Sequence, residues 1–153
     1  MHTAFTPVDL DFERRVRASF ARQAAMRLIG ATMTAVEPGR CTIELPVRHD
    51  LTQQHGFVHG GIVGMIADSA GGYAAFTLMP ADASVLTVEY KINMLAPARG
   101  ERLVAVGSVV KPGRTLSIVR ADVHAIDGAR ETLVAAMQQT LMVMHGVSDE
   151  PHI

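Results

Sequence analysis

The chain of 153 residues has little that points to a partner or a compartment: it has one cysteine, a net charge of −1 at pH 7 and no signal-peptide core near its start. The single Cys41 excludes an internal disulfide framework and fits a reducing compartment, and its alternation with Ile43 and Leu45 is typical of a packed strand residue. The low net charge gives no electrostatic case for nucleic acid or an anionic membrane. We therefore expect one cytoplasmic domain with neither of these partners.

One carboxylate stands alone in the most apolar part of the chain. Between Gly56 and Met79, Asp68 is the only formally charged side chain. Carboxylates are seldom placed in such surroundings unless they are paired with another group or take part in function. Asp68 is therefore the first candidate for a catalytic residue. The alternative is a structural, hydrogen-bonded acid. The stretch is long enough to span a bilayer, but an aspartate at mid-span would cost about 2.5 to 3.5 kcal/mol. A buried helix is the better interpretation.

Glycines form a stripe beside Asp68 on this predicted helix. Interior glycine costs roughly 1 kcal/mol relative to alanine, so Gly64, Gly71 and Gly72 indicate that something approaches the helix closely. The remaining faces are apolar. The pattern predicts a buried central helix with one open stripe that carries the carboxylate.

Hydrophobic periodicity predicts an α+β order in a single domain. Phe12, Val16 and Phe20 recur at every fourth residue, which predicts an amphipathic helix over about 9–28 that ends at Gly30. Proline and glycine in 111–114 favour a type II turn. A curved antiparallel sheet wrapped around the central helix would bury it, and its edges would favour an oligomer. The predicted strands are 31–36, 41–47, 86–94, 103–110, 115–126 and 132–144, followed by a loose polar tail at 146–153.

A set of motifs accompanies this order: Gln53, Gly56, His59-Gly60-Gly61, Ala67-Asp68, Thr87, Ala96-Pro97 and Gly113-Arg114-Thr115. Order and motifs together resemble the hotdog-fold acyl-CoA thioesterases of the phenylacetate-pathway type. The resemblance implies a hotdog core over about 31–144 and hydrolysis of an acyl-CoA thioester without metal or prosthetic group. Gln53 stands where this branch often has asparagine. Glutamine there is more similar to the aromatic-acid (4-hydroxybenzoyl-type) relatives, whose carboxylate is commonly glutamate, so the acyl group stays open between aryl and aliphatic.

The resemblance also implies four catalytic roles. Asp68 would act as base or nucleophile, and the Gly60 N–H, at the positive end of the helix dipole, would polarise the thioester carbonyl. Gln53 would hold the attacking water or the carbonyl, and Thr87 would orient Asp68. Alternatively, Gln53 lies in a surface loop, and Thr87 faces solvent because it is on the polar register of its strand.

Four further residues are candidates for substrate binding. His59 and Gly61 flank the start of the helix, and Lys111 and Arg114 flank a turn from which they could reach the phosphates of coenzyme A. The simpler alternatives are that His59 only caps the helix and that the two basic residues are solvated.

The spacing of Gly60 and Asp68 bears on the oligomeric state. Eight residues of helix correspond to about 12 Å along the axis, so one carbonyl cannot touch both groups of one chain. If both act on one thioester, they come from different chains. We therefore expect a homodimer with two composite sites, or a dimer of dimers.

Other functions compete with hydrolysis by a carboxylate. His49, His55 and His59 with Asp68 could form a metal set, although glycine at 56 and 60 weakens the helix that would hold it. A hotdog hydratase or dehydratase would pair a catalytic histidine with an acid in a different pattern. A non-catalytic acyl-CoA-binding or regulatory protein is the alternative from another class.

Overall fold

The computed structural model describes residues 5–151, in which one long helix packs against a six-stranded antiparallel sheet. This is the predicted α+β order. The helices are α1 (Phe12–Arg22), α2 (Ala24–Ile29) and α3 (Gly60–Phe76), with a 3-10 turn at His49–Leu51. The strands are β1 (Thr32–Glu37), β2 (Arg40–Pro46), β3 (Ala83–Met94), β4 (Arg102–Lys111), β5 (Leu116–Asp127) and β6 (Arg130–His145).

The order of strands in the sheet is β1-β2-β4-β5-β6-β3, and each neighbouring pair is antiparallel. β1 and β3 are therefore the two edges. β3 is 12 residues long and pairs along one side with β6. β3 lies next to the helix that carries Asp68, because the Thr87 hydroxyl donates a hydrogen bond to that side chain.

The core lies between α3 and the sheet. Ile66, Ala67 and Phe76 are fully buried there, which confirms that α3 is the buried central helix. α3 and β4 approach each other closely at Gly107, where a Cβ atom would lie 2.2 Å from the Ala70 carbonyl oxygen, so only glycine allows the helix backbone to pack against the strand here.

Cys41 lies in the same core. Its side chain is fully buried, and burial raises the pKa of its thiol to about 12. A thiol that stays protonated is a packing group and not a nucleophile.

The prediction of one N-terminal helix over 9–28 is wrong. The chain breaks at Gln23, whose backbone is extended (φ −71°, ψ 99°), and α2 follows. On one straight helix Val16 and Ile29 would point about 140° apart, given 3.6 residues per turn. The break allows both to be buried. Gly30 ends the second of these helices, as predicted for the helix end, and its backbone there is left-handed (φ 79°).

The predicted type II turn at 111–114 is also wrong. That turn needs a positive φ at Gly113, and Gly113 does not have one. Its glycine is explained by crowding, because a Cβ atom would lie 1.9 Å from the Leu116 carbonyl oxygen. The Gly113 N–H donates to the Ser117 hydroxyl at 3.2 Å, which fixes the connection between β4 and β5 without a turn.

The predicted tail begins as a segment without helix or strand, and its last two residues, 152–153, lie outside the described range. Within it, the Asp149 carboxylate accepts hydrogen bonds from Arg22 at 2.6 Å and from the Ser84 hydroxyl at 3.2 Å. These contacts tie this segment to α1 and β3. None of the helices within residues 5–151 is long and apolar enough to cross a membrane.

Candidate active site

Asp68 lies in the middle of α3 and is half-buried, and residues of the sheet hydrogen-bond to one of its carboxylate oxygens. Its Oδ1 accepts hydrogen bonds from Thr87 Oγ1 at 2.7 Å and from Gln139 Nε2 at 2.5 Å. No hydrogen bond reaches Oδ2 from the residues that the structure describes. One oxygen is thus anchored and the other is available.

Thr87 reaches Asp68 because β3 is irregular. The pairing of β3 with β6 shifts register between Thr87 and Glu89, which indicates a β-bulge at this point. Leu86 and Val88 on either side are 57% and 53% exposed, so the simple alternation that would point Thr87 to solvent does not hold. A bulge next to a functional residue commonly serves to aim a side chain.

Gln139 is a site residue that the sequence reasoning missed. It lies on β6, is 1% exposed, and donates from Nε2 to the Asp68 carbonyl oxygen at 3.1 Å as well as to Oδ1. A signal was available: Gln139 is the only polar side chain in a buried, alternating register that otherwise holds Ala135, Met137, Leu141 and Val143. Like Asp68 in its apolar helix, Gln139 is a polar side chain in apolar surroundings, here on a strand.

The glycine stripe is less open than predicted. Gly64 and Gly71 are buried, and at Gly71 the space of a side chain is taken by Gln139, since a Cβ atom would lie 1.9 Å from Gln139 Oε1. Only Gly72, with no atom within 4 Å of a Cβ position, borders open space beside Asp68. Another group does approach the helix closely at its glycines, as inferred, but at Gly71 that group is the protein's own Gln139 side chain.

A cavity of about 370 Å³ opens at this point, between α1, α3, β3 and the segment at Asp149. Its wall includes Asp68, Thr87 and Gly72, and beyond them Tyr73. Burial raises the pKa of Tyr73 to about 12, so its phenol stays neutral, with Oη 3.1 Å from the Ser19 hydroxyl. The carboxylate therefore borders a space whose wall combines apolar surface, neutral hydroxyls and the ion pair of Arg22 with Asp149.

The start of α3 offers a second functional group. His59 is the N-cap residue, and its Nδ1 accepts a hydrogen bond from the Gly61 N–H at 2.8 Å. His59 and Gly61 therefore both take part in capping the helix. No acceptor for the Gly60 N–H occurs among residues 5–151. A Cβ atom at Gly60 would lie 3.3 Å from Met94 Cε, so glycine keeps this donor accessible. A free N–H at the positive end of a helix dipole suits a developing negative charge.

The structure does not bring the other predicted residues to Asp68. Gln53 lies in the loop before α3, where its Oε1 accepts the His55 N–H at 2.5 Å. Lys111 and Arg114 are exposed near the connection between β4 and β5, and their side chains form no hydrogen bond or ion pair within the described part of the chain.

The alternative metal set is not assembled. No cluster of three or more His, Cys, Asp or Glu side chains that could hold a metal ion occurs among the residues described. His59, one of the proposed ligands, has its Nδ1 occupied by the Gly61 N–H.

The family model of the Thioesterase superfamily matches residues 55–132, about half of the chain, including the whole of α3. The chain belongs to this superfamily, and the predicted hotdog thioesterase fold is confirmed.

Three relatives illustrate the range of similarity. The crystal structure of a thioesterase family protein from Silicibacter pomeroyi is 49% identical, with a TM-score of 0.87, and the match covers 88% of this chain and 99% of that one. A Saccharolobus solfataricus protein named "Putative esterase" is 36% identical, covering 61% of this chain and 66% of that protein. Human acyl-coenzyme A thioesterase 13 is 29% identical, covering 63% of this chain and 69% of that protein.

Proposed function

We propose that this protein hydrolyses an acyl-CoA thioester to the free acid and coenzyme A. The main support is the arrangement of Asp68 at the wall of a cavity. Its Oδ1 is fixed by Thr87 and Gln139, and its Oδ2 has no hydrogen bond from any described residue. Membership of the Thioesterase superfamily supports the reaction class. The name of the human relative supports coenzyme A as the carrier of the acyl group.

The geometry suits the two requirements of thioester hydrolysis. Water must add to the carbonyl carbon and lose a proton, and the C–S bond must break to release the coenzyme A thiolate, which is then protonated. Asp68 Oδ2 either takes the proton from the attacking water, or attacks the carbon itself and forms an anhydride that water then hydrolyses to the free acid and Asp68. The Gly60 N–H stabilises the negative charge on the carbonyl oxygen. Neither role needs a cofactor or a metal ion.

The edge strand β3 supports a composite site. Its exposed apolar side chains, which include Leu86 at 57% and Met94 at 50%, line a free edge that suits a second copy of the chain. Antiparallel pairing of two β3 strands centred between Tyr90 and Lys91 would place Thr87 of one chain opposite Met94 of the other. Thr87 holds Asp68 and Met94 contacts the Gly60 position, so each site would combine Asp68 of one chain with Gly60 of the other.

The remaining candidates complete the binding model. Gln53 precedes α3 and would turn from His55 toward the substrate carbonyl or the attacking water on the Gly60 side of the site. Lys111 and Arg114, both exposed, would contact the phosphates of coenzyme A.

A turnover screen tests this function. Purified protein is mixed with acyl-CoA thioesters ranging from aryl to short and long aliphatic acids, and the released thiol is measured. We expect catalytic release of coenzyme A from at least one class, and the rank order defines the acyl specificity. Tight binding of several thioesters without release would contradict hydrolysis and identify a non-catalytic acyl-CoA-binding protein.

Chelation should leave the activity unchanged, because the proposed site uses a carboxylate, an amide and a backbone N–H. The measurement is the rate of thiol release before and after dialysis against EDTA, with a zinc-dependent hydrolase treated in parallel as the control. Loss of activity that zinc or another divalent ion restores would instead assign ligand roles to His55, His59 and Asp68.

A further inference from the structure

Gln139 is the buried polar residue of the sheet that contacts Asp68. We propose that Gln139 is a positioning residue for thioester hydrolysis: it holds Asp68 in the orientation that directs Oδ2 at the thioester carbonyl. This inference rests on the proposed function of Asp68. It is carried by the burial of Gln139 and by its contacts to both the backbone and the carboxylate of residue 68.

The contacts of Gln139 fix Asp68 at two points. Its Nε2 donates to the Asp68 carbonyl oxygen at 3.1 Å and to Oδ1 at 2.5 Å, so one amide nitrogen spans the backbone and the tip of the same residue. Both hydrogens of the amide are thereby used. The rotation of the carboxylate is restricted relative to the helix that carries it.

Two strands act together on the same oxygen. Thr87 of β3 and Gln139 of β6 both donate to Oδ1, and Gln139 Nε2 lies 3.4 Å from Thr87 Oγ1. Because both donors bind Oδ1, the orientation that leaves Oδ2 free is the one that is stabilised. Loss of either donor would leave the carboxylate freer to rotate, so that an oxygen would face the substrate less often.

The position of Gln139 argues against a role in packing alone. Its Oε1 is buried without a hydrogen-bond partner among the described residues, which is unfavourable for stability. An apolar residue, as at the neighbouring inward positions Met137 and Leu141, would avoid this cost. The helix also has glycine at Gly71, where a Cβ atom would lie 1.9 Å from Oε1. The unsatisfied Oε1 and the glycine inside the helix are both unfavourable for stability, and together they allow the Gln139 amide to contact Asp68.

Gln139→Met tests the proposal, because methionine has a similar length and no N–H donor. We expect kcat to fall about 10- to 100-fold, as for loss of a hydrogen bond to a charged group, with KM changed less than about threefold. The melting temperature should not fall, since an unsatisfied buried oxygen is removed. Gln138→Met is the matched control: the same substitution on the exposed neighbour in β6 should leave kcat and KM unchanged.

A double variant separates positioning from general damage. If Gln139 acts through Asp68, Gln139→Met should cause no further loss in the Asp68→Asn background. A kcat for Gln139→Met within twofold of wild type, or an equal loss in both backgrounds, would overturn the inference. Near wild-type turnover by Asp68→Asn would instead overturn the catalytic role proposed for Asp68, on which this inference rests.

A second substitution covers the case in which the methionine variant does not fold. Gln139→Leu introduces the residue type found two positions along the strand, at Leu141. It should give the same fall in kcat at unchanged KM. Failure of both variants to fold would make Gln139 a structural residue and contradict the positioning role.

Discussion

Asp68→Asn should lower kcat by at least about 10²-fold, with a smaller change in KM. The substitution keeps the volume and removes the base or nucleophile, so the loss falls on the transition state and not on substrate binding. The variant should remain folded, because asparagine can still accept the hydrogen bonds that Thr87 and Gln139 donate to Oδ1. Steady-state thiol release, with circular dichroism and size-exclusion chromatography as checks on folding, gives the measurement.

Asp82→Asn is the matched control for this experiment. It makes the same chemical change at an exposed carboxylate just before β3 and should leave kcat near the wild-type value. If Asp68→Asn turns over a good substrate as fast as this control, Asp68 is a structural acid and the mechanism proposed for this site is wrong.

Mixing two inactive variants should restore activity. Gln53→Ala and Asp68→Asn are each expected to be poorly active as homodimers, and in the composite site they affect opposite halves. After joint unfolding and refolding, each mixed dimer has one doubly altered site and one site with intact Gln53, Gly60 and Asp68. About half of the dimers are mixed if subunits pair at random, so activity should approach about one quarter of wild type.

A second pair of variants provides the control for complementation. Thr87→Ala and Asp68→Asn alter the same half of the site, so their mixed dimers contain no intact site and should stay inactive. If mixed dimers of Gln53→Ala and Asp68→Asn form and activity does not return, Gln53 and Asp68 serve one site from the same chain.

The element order was predictable because alternation, helical periodicity and turn residues are local. The break at Gln23 was not, because it depends on burying both Val16 and Ile29 against a tertiary surface that the local pattern does not show. The type II turn failed for a similar reason: Gly113 is required by its close approach to Leu116 and not by its own backbone conformation.

The candidate site was predictable where a residue contradicts its own surroundings, as Asp68 does in an apolar helix. Its partners were harder to find. Thr87 faces Asp68 only because a register shift interrupts β3, and such a shift leaves no signal in the alternation. Gln139 is separated from Asp68 by 71 residues, so their contact follows from the pairing of β6 with β3 beside α3.

The composite site can be observed in a crystal structure with a non-hydrolysable acyl-CoA, in which a methylene group replaces the thioester sulfur. We expect the carbonyl oxygen to lie about 2.7 to 3.1 Å from the Gly60 nitrogen of one chain, with Oδ2 of the partner's Asp68 facing the carbonyl carbon. Thr87 and Gln139 should still bind Oδ1. An acyl carbonyl bound away from Gly60, or a site in which Asp68 does not face that carbon, would contradict the composite site.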